Sequence, residues 1–556
     1  MKTVKQISIW VALMLMQMIT VKGQQLAFPG AEGYGKYASG GRGGRIVEVI
    51  NLDDMDRYGR TIKGSLRAAL ETEGDDPITI VFKLSGVITL KSTEIKCNRS
   101  NITIAGQTAP GEGICIKNGG LKFSGNNLII RYIRFRPGDL LQGQPSGLNI
   151  ENAQNIIVDH CSFSWAIEEN ATFYDNVNTT VQWCIISEGL YDSYHAKGAR
   201  GYGGQWGGQY SSYHHNLLAH NKSRSPRING SRAHDTMAVL DFRNNVIFNW
   251  GNSGAIYGGE EEIPGGACKT NFVNNYYKKG PATGGNYFAA PSYVSEGNTA
   301  TGYAQWYFSG NFMVGNPNNV NDDNWNGVNA SDVGGIDNIK DTVEIEVSPV
   351  ETHTAQEAYN LVLENAGAVL PIRDEVDERI VGEVKGEVDI TGDGVTGENK
   401  GIIDSQSAVG GWPEYVRNNP PDDTDRDGMP DSWETAQGLN PADSLDGPVI
   451  QADGYSNLEH YLNSIDGIFG TEYIGIQNQY ENSLIHIYPN PCTEFIQIDS
   501  EWSVRGVDIF DIQGKKIKEI KNPNKTISIS ELNKGTYFVY VYLYNGAFAS
   551  HEIIVQ

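Results

Sequence analysis

Cysteine is scarce. Six in 556 residues cannot staple a chain of this length as a disulfide framework, so buried apolar surface must hold it together. Positive charge is in deficit: 43 Lys and Arg stand against 67 Asp and Glu, for a net charge of -24. That balance argues against nucleic acid as a partner and suits carboxylate-rich cation sites. Proline is modest at 21 beside 65 glycines, so turns are frequent, but the chain is neither collagen-like nor a Pro-rich disordered tract. Long apolar runs are missing beyond Ile7–Ile19. With Lys2 and Lys5 before that run and the small Gly23 after it, residues 1–23 read as an export signal. No other stretch could form a transmembrane helix. The mature chain is therefore expected to be exported, and it is long enough for about three folded units.

What is present is a repeat. Short β-rich segments begin at Ile104, Ile130, Val158, Val181, Tyr213, Phe242, Phe272 and Phe308, in steps of 26, 28, 23, 32, 29, 30 and 36 residues. Uneven steps between similar strands mean loops of different length hung on a constant frame. The fourth slot of each unit reads Gln107, Ile133, Cys161, Cys184, Asn216, Asn245, Asn275 and Asn311. Four successive Asn in one register predict a ladder at a turn of a parallel β-helix, each amide bonding to the next coil. Cys161 and Cys184 occupy the same slot as small turn fillers, although strands about 4.8 Å apart would also permit a bridge. Gly64–Glu71 has helical character and is placed to cap the first coil. Ala355–Ala366 has helical spacing and either lies along the outside or seals the far end.

One window reverses the global charge. From Ser193 to His234 there is no Asp or Glu, where average usage would place about five. The window holds Lys197, Arg200, Lys222, Arg224, Arg227 and Arg232, with His195, His214, His215, His220 and His234. Stacked coils project equivalent loops on one side, so these cations line one groove suited to a polyanion. Just upstream, Glu168 and Glu169 follow Trp165, with Asp175 close by; such oxygen ligands suit Ca²⁺. A cation site beside an Arg/Lys groove has a chemical use. In a uronate polymer the C5 proton is α to a carboxylate, and removing it puts extra charge on that carboxylate. Calcium and lysine stabilise that charge while the C4 oxygen leaves by β-elimination.

These residues resemble polysaccharide lyase family one, the pectate lyases, over roughly Ala27 to Tyr415. The opening Phe28-Pro-Gly-Ala-Glu-Gly-Tyr-Gly, with Gly40-Gly-Arg-Gly-Gly and Gly64-Ser-Leu-Arg, looks like that family's N-terminal cap. Thr103-Ile-Ala-Gly-Gln-Thr-Ala-Pro-Gly, Ile157-Val-Asp-His-Cys-Ser-Phe-Ser, His195-Ala-Lys, and His214-His-Asn followed by Arg224-Ser-Pro-Arg match its motifs in order. The resemblance implies that Arg224 is the catalytic base and that Lys197 grips substrate carboxylate. It places Arg227, His195 and Arg232 on the substrate side and makes Glu168 and Glu169 calcium ligands. Asp159 and His160 read as scaffolding. Two positions depart from the pattern. Ser146 stands where the family has an Asp, leaving Asp139 as the substitute ligand. Asn229 stands where a further Arg is usual, with Arg232 three residues beyond. The implied activity is calcium-assisted cleavage of (1→4)-α-D-galacturonan to 4,5-unsaturated oligogalacturonides. Two alternatives remain: a non-catalytic β-helix that binds pectic polysaccharide, and a β-helical hydrolase, which would need paired groove carboxylates that the window lacks.

Beyond the repeat, Asp423-Thr-Asp-Arg-Asp-Gly-Met-Pro-Asp-Ser-Trp-Glu434 places acids at loop positions 1, 3, 5, 9 and 12 and Gly428 at position 6. That is an EF-hand ligand pattern, with Asp423, Asp425, Asp427, Asp431 and Glu434 as calcium ligands. It also resembles thrombospondin type 3-like calcium repeats, and it reads as a rigid clip between domains. From Ile485 strands alternate with turns at Gly514 and Gly535, predicting a small β-sandwich. Tyr488-Pro-Asn-Pro, Asp511-Ile-Gln-Gly-Lys and Lys534-Gly-Thr-Tyr resemble the C-terminal sorting domain of the type IX secretion system. That implies a two-membrane bacterium and delivery to the cell surface or medium. The expected architecture is all-β: a right-handed parallel β-helix, then a small calcium-loop segment and a C-terminal β-sandwich. Its parts are signal 1–23, β-helix 24–420, calcium segment 421–465, linker 466–483 and sorting domain 484–556, working as a monomer.

Overall fold

A computed structural model describes residues 24–263, 265–292, 302–392, 400–465, 485–500, 504–511, 516–521, 523, 525–543 and 548–556. The expected signal and linker lie outside the described residues. From Arg45 to Met313 the chain winds through three parallel sheets of ten, eight and nine strands, most coils giving one strand to each. This is a parallel β-helix. Ile80, Ile104, Ile130, Val158, Val181, Tyr213, Phe242, Phe272 and Phe308 are register partners in successive strands of the ten-stranded sheet. All nine are buried. Side chains alternate along a strand, so this file stacks like on like down the core.

The asparagine ladder is continuous. The Asn216 amide donates to Asn245 at 3.0 Å, Asn245 to Asn275 at 3.1 Å, and Asn275 to Asn311 at 2.8 Å. Asn324 extends it, accepting from Asn311 at 3.0 Å. Cys184 N–H donates to Asn216 at 2.9 Å and Cys161 N–H to the Cys184 sulfur at 3.4 Å, so both cysteines hold ladder positions. Both are free thiols.

The helix Leu66–Leu70 closes the first coil, with the Ser65 hydroxyl accepting from Ala68 N–H at 3.1 Å. Short 3₁₀ turns between Pro317 and Asn338 close the other end, burying Val320, Trp325 and Val333. The helix Ala355–Asn365 begins in a Thr354–Glu357 capping box and lies on the outside of the nine-stranded sheet. Its Val362 and Leu363, together with Ile380 and Val381 of a second helix, Glu375–Lys385, pack on Ile185, Leu217 and Val246. An N-terminal strap covers the ten-stranded sheet so closely that a Cβ on Gly35 would sit 1.9 Å from the Ile156 carbonyl oxygen. The described residues between 485 and 556 form separate antiparallel sheets of three and four strands around their own core of Ile496, Ile509, Val539 and Ile553. Among the described residues no helix is long and apolar enough to cross a membrane.

Candidate active site

The outer face of the eight-stranded sheet carries a polar row. Lys122, Asn149, Thr172, Gln205, Arg227 and Tyr257 are register partners in consecutive strands. Alternation sends their neighbours Phe173, Trp206 and Ile228 into the core. At the start of these strands the connecting loops bring in Glu168, Glu169, His195 and Arg224.

Arg224 adopts the left-handed backbone conformation, φ 58°, an uncommon state for a non-glycine residue that clusters at functional sites. Its Nη1 makes an ion pair with Glu169 and donates to Gln205 Oε1 at 2.7 Å. Nε donates to the Tyr257 hydroxyl at 3.2 Å, and the guanidinium lies 4.1 Å from the centroid of the Tyr202 ring. Burial works against this cation, but Glu169 overrides it, so Arg224 is held above an ordinary arginine. Burial pushes Glu169 up to about 7, with Arg224 opposing and Glu168 adding to the rise. Arg224 is thus held as a cation by its carboxylate neighbour.

His195 is buried and locked. Its Nδ1 accepts from Lys197 N–H at 3.0 Å and Arg200 Nε at 3.2 Å, which leaves Nε2–H to donate to Glu168. The ring aims Glu168 and does not face the groove as a substrate ligand. Lys197 itself is exposed, on the loop that its backbone N–H ties to His195. Arg227 is buried and donates to both Glu260 oxygens at 3.2 Å. Arg232 reaches over Tyr174 and lies 3.9 Å from Glu262. Asp159 is scaffolding: Arg131 and Gln182 each donate to it at 2.7 Å.

Asp139 does not join Glu168 and Glu169. Gln406 occupies it, donating to its carboxylate at 2.7 Å and accepting from its N–H at 3.1 Å. Ser146 is the neighbour of Glu169 on the preceding coil, because Gly147 N–H donates to the Glu169 carbonyl at 3.2 Å. Among the described residues no cluster of three metal-ligating groups includes Asp139, Glu168 or Glu169. Sequence reasoning missed Gln205, Tyr257 and Glu260 as partners of the two arginines. The Glu260–Glu262 run just past the acid-free window was the available signal for the last.

The Asp-rich segment differs from its spacing pattern. Asp423, Asp425 and Asp427 form one cluster of oxygens, and Asp427, Glu434 and Asp446 another. Asp431 lies outside both: its carboxylate accepts from Thr424 N–H at 2.7 Å and the Thr424 hydroxyl at 2.6 Å. Those bonds, at the first turn of the helix Asp431–Gln437, take it out of the ligand set. Asp446, twelve residues past Glu434, joins the second cluster instead, and no loop spacing announces it. Burial, the neighbouring acids reinforcing it, pushes Asp427 up to about 7 and Glu434 up to about 8.

A family model described as a secretion system C-terminal sorting domain matches residues 486–556. Over 449 residues the chain is 34% identical to the "Probable pectate lyase C" of Aspergillus terreus, which spans 79% of this chain and 94% of that one. The "Probable pectate lyase C" of Emericella nidulans is 35% identical over 444 residues, 79% of this chain and 93% of its own. Among solved structures, Jun a 1, the major allergen from cedar pollen, aligns at 16% identity with a TM-score of 0.44, covering 61% of this chain and 93% of the allergen.

Proposed function

The chain belongs to the pectate lyases, and from that premise we propose that it cleaves (1→4)-α-D-galacturonan by β-elimination, with Arg224 as the base. The observation that carries this reading is the meeting of Arg224 with Glu169, and of His195 with Glu168, on one polar face of the β-helix. Lys197, exposed on the loop that carries His195, would grip a uronate carboxylate. Arg227, fastened to Glu260, stiffens the strand behind Arg224. Arg224 takes the C5 proton, a C4–C5 double bond forms, and the C4–O bond breaks with the oxygen protonated from solvent. A guanidinium cannot accept a proton, so Arg224 becomes a base only after releasing one to solvent, a loss that Glu169 opposes while the two are paired.

Glu168 and Glu169 fit a calcium ion in part. Two carboxylates supply some of the six to eight oxygens calcium takes, and substrate carboxylate and water would supply the others. Calcium bound there contributes positive charge opposite the developing enediolate. The acidic segment is the second calcium reading. Glu434 is fully buried with both carboxylate oxygens unpartnered, a donor set that fits a hard cation. The sorting domain supports delivery through a type IX secretion machinery to the surface or medium of a two-membrane bacterium. Residues 24–420 would then be the lyase unit, 421–465 its calcium segment and 484–556 the address.

The test is a product assay on polygalacturonate, methylated pectin and rhamnogalacturonan side by side. Ultraviolet absorbance from the conjugated double bond is expected on polygalacturonate and is lost on chelation or in Arg224→Ala. Binding of polygalacturonate without new absorbance would establish the non-catalytic alternative, which the Arg224–Glu169 pairing favours to the extent that it keeps the arginine charged.

A further inference from the structure

We propose that Asp425, Asp427, Glu434 and Asp446 hold one divalent cation of calcium's size, and that this ion fastens residues 421–465 onto the first coils of the β-helix. The inference rests on the reading that the acidic segment takes calcium. It goes further in naming a ligand from outside the loop and in locating what the ion ties together.

The unpartnered oxygens mark the site. Asp425 Oδ2, Asp427 Oδ2, both oxygens of Glu434 and Asp446 Oδ1 are buried without a hydrogen-bond donor. Glu434 is 0% exposed and Asp427 1%. A buried carboxylate oxygen is normally paired or hydrogen-bonded; Asp427, Glu434 and Asp446 bring oxygens within 4.8 Å of one another, Asp425 adjoins them through the cluster it shares with Asp427, and the bare oxygens call for a cation. Oxygen ligands in that number suit calcium, whereas magnesium keeps its waters and resists such cages. Asp423 is different. Its Oδ2 accepts from the Lys83 ammonium at 2.5 Å and from Gly428 N–H at 3.1 Å, and its Oδ1 from Arg426 N–H at 2.7 Å. Lys83 follows the strand Ile78–Phe82, so the β-helix itself places a cation at the rim of the site.

The loop after Asp427 packs on that wall, and Asp446 is tied to the helix that covers it. Met429, two residues past Asp427, is buried with Ala105 of the helix and with Leu458 and Leu462. A Cβ on Gly428 would stand 3.3 Å from Ile46 and 3.5 Å from Val81. The Asp446 carbonyl accepts from the Asn457 amide at 2.9 Å and so anchors the helix Asn457–Ile465. Glu459 of that helix pairs with Arg42 of the strap at 2.8 Å. One ion at the crossing of these connections joins loop, turn and helix into a cover over Ile46, Val81 and Ala105. Without it four carboxylates repel, and the cover opens from Met429.

The test uses the full chain with Glu168→Gln and Glu169→Gln introduced, so that the groove does not contribute. Terbium luminescence sensitised through Trp433, the neighbour of Glu434, reports binding, and thermal unfolding with and without calcium reports fastening. Asp446→Asn is expected to weaken terbium binding ~10- to 100-fold, to abolish the calcium-dependent rise in Tm, and to leave the calcium-free Tm unlowered, since it removes a repelling charge. Asp431→Asn is expected to leave terbium binding unchanged. Wild-type binding in Asp446→Asn together with lost binding in Asp427→Asn would overturn the role of Asp446 while sparing the loop reading. Unchanged binding in Asp427→Asn would overturn both. Full calcium stabilisation in Asp446→Asn would overturn the fastening.

Discussion

In the groove the buried Glu169 and Glu260 and the half-buried Glu168 each have a protein donor already: Arg224 on Glu169, Arg227 on Glu260, His195 on Glu168. In the 421–465 segment Asp425, Asp427, Glu434 and Asp446 each leave oxygens bare. The groove is therefore assembled before any ligand arrives, and its acids are balanced by side chains that substrate and cation can later compete for. The acidic segment is incomplete until an ion enters. Chelation should act on the two regions differently: on turnover in the groove, on folding in the segment.

The comparison breaks first at Arg224. Arg224→Ala removes both the base and the partner of Glu169, and turnover on polygalacturonate should fall about 10³-fold. Arg224→Lys keeps a charge for Glu169 but not the planar fork that also reaches Gln205 and Tyr257, so it should preserve Tm and still lose most of the activity. Retained product formation in the alanine variant would mean that the groove cations only bind.

Calcium removal tests the other side. At a free concentration a hundredfold above its dissociation constant, an ion bound only by the folded state stabilises by about 2.7 kcal/mol. Chelation should lower Tm accordingly in wild type and leave the Asp427→Asn protein unmoved. An equal fall in both would place the stabilising ion elsewhere.

His195 sharpens what donor pairing means. Its two acceptor bonds on Nδ1 leave one proton to orient Glu168, which on the proposed reading makes it a positioning residue. His195→Ala should lower turnover about tenfold and raise the calcium concentration needed for half-maximal rate, without raising KM for polygalacturonate to match. A rise in KM alone would return His195 to the substrate side.

The fold was legible because a coil constrains its residues locally. Ile104 through Phe308 stack in one file and Asn216 through Asn311 in one ladder, since each position sees the same neighbours above and below. The same stacking sets Gln205, Arg227 and Tyr257 side by side on one sheet face. What escaped depends on partners far away in the chain. Gln406, from 267 residues downstream, takes Asp139 out of the calcium reading. Asp446 enters the acidic site while Thr424 withdraws Asp431. A spacing pattern lists which carboxylates can converge, and the tertiary hydrogen bonds decide which of them have a donor already.

The smallest effect concerns the ten-stranded sheet, at the end of the strand Gln209–His214, where charge is avoided rather than balanced. His214 Nδ1 and His215 Nδ1 share a hydrogen bond at 2.9 Å, and His215 Nε2 meets His353 Nδ1 at 3.1 Å. Burial, with Arg243 adding to it, holds His214 down at about 3, and burial with His214 and His353 nearby holds His215 well below its ordinary value. Both rings stay neutral in the folded protein and take a proton on unfolding once the pH drops below the ordinary histidine value of about 6.5. The unfolded state then binds more protons than the folded one, so stability is complete above that pH and falls as the pH descends toward 3. The slope is about 1.4 kcal/mol per pH unit for each group. Urea midpoints taken from pH 7 to pH 5 at saturating calcium should decline with that sign. His214→Gln, which cannot protonate, should flatten the decline, and an unchanged slope in that variant would move the acid sensitivity to other groups.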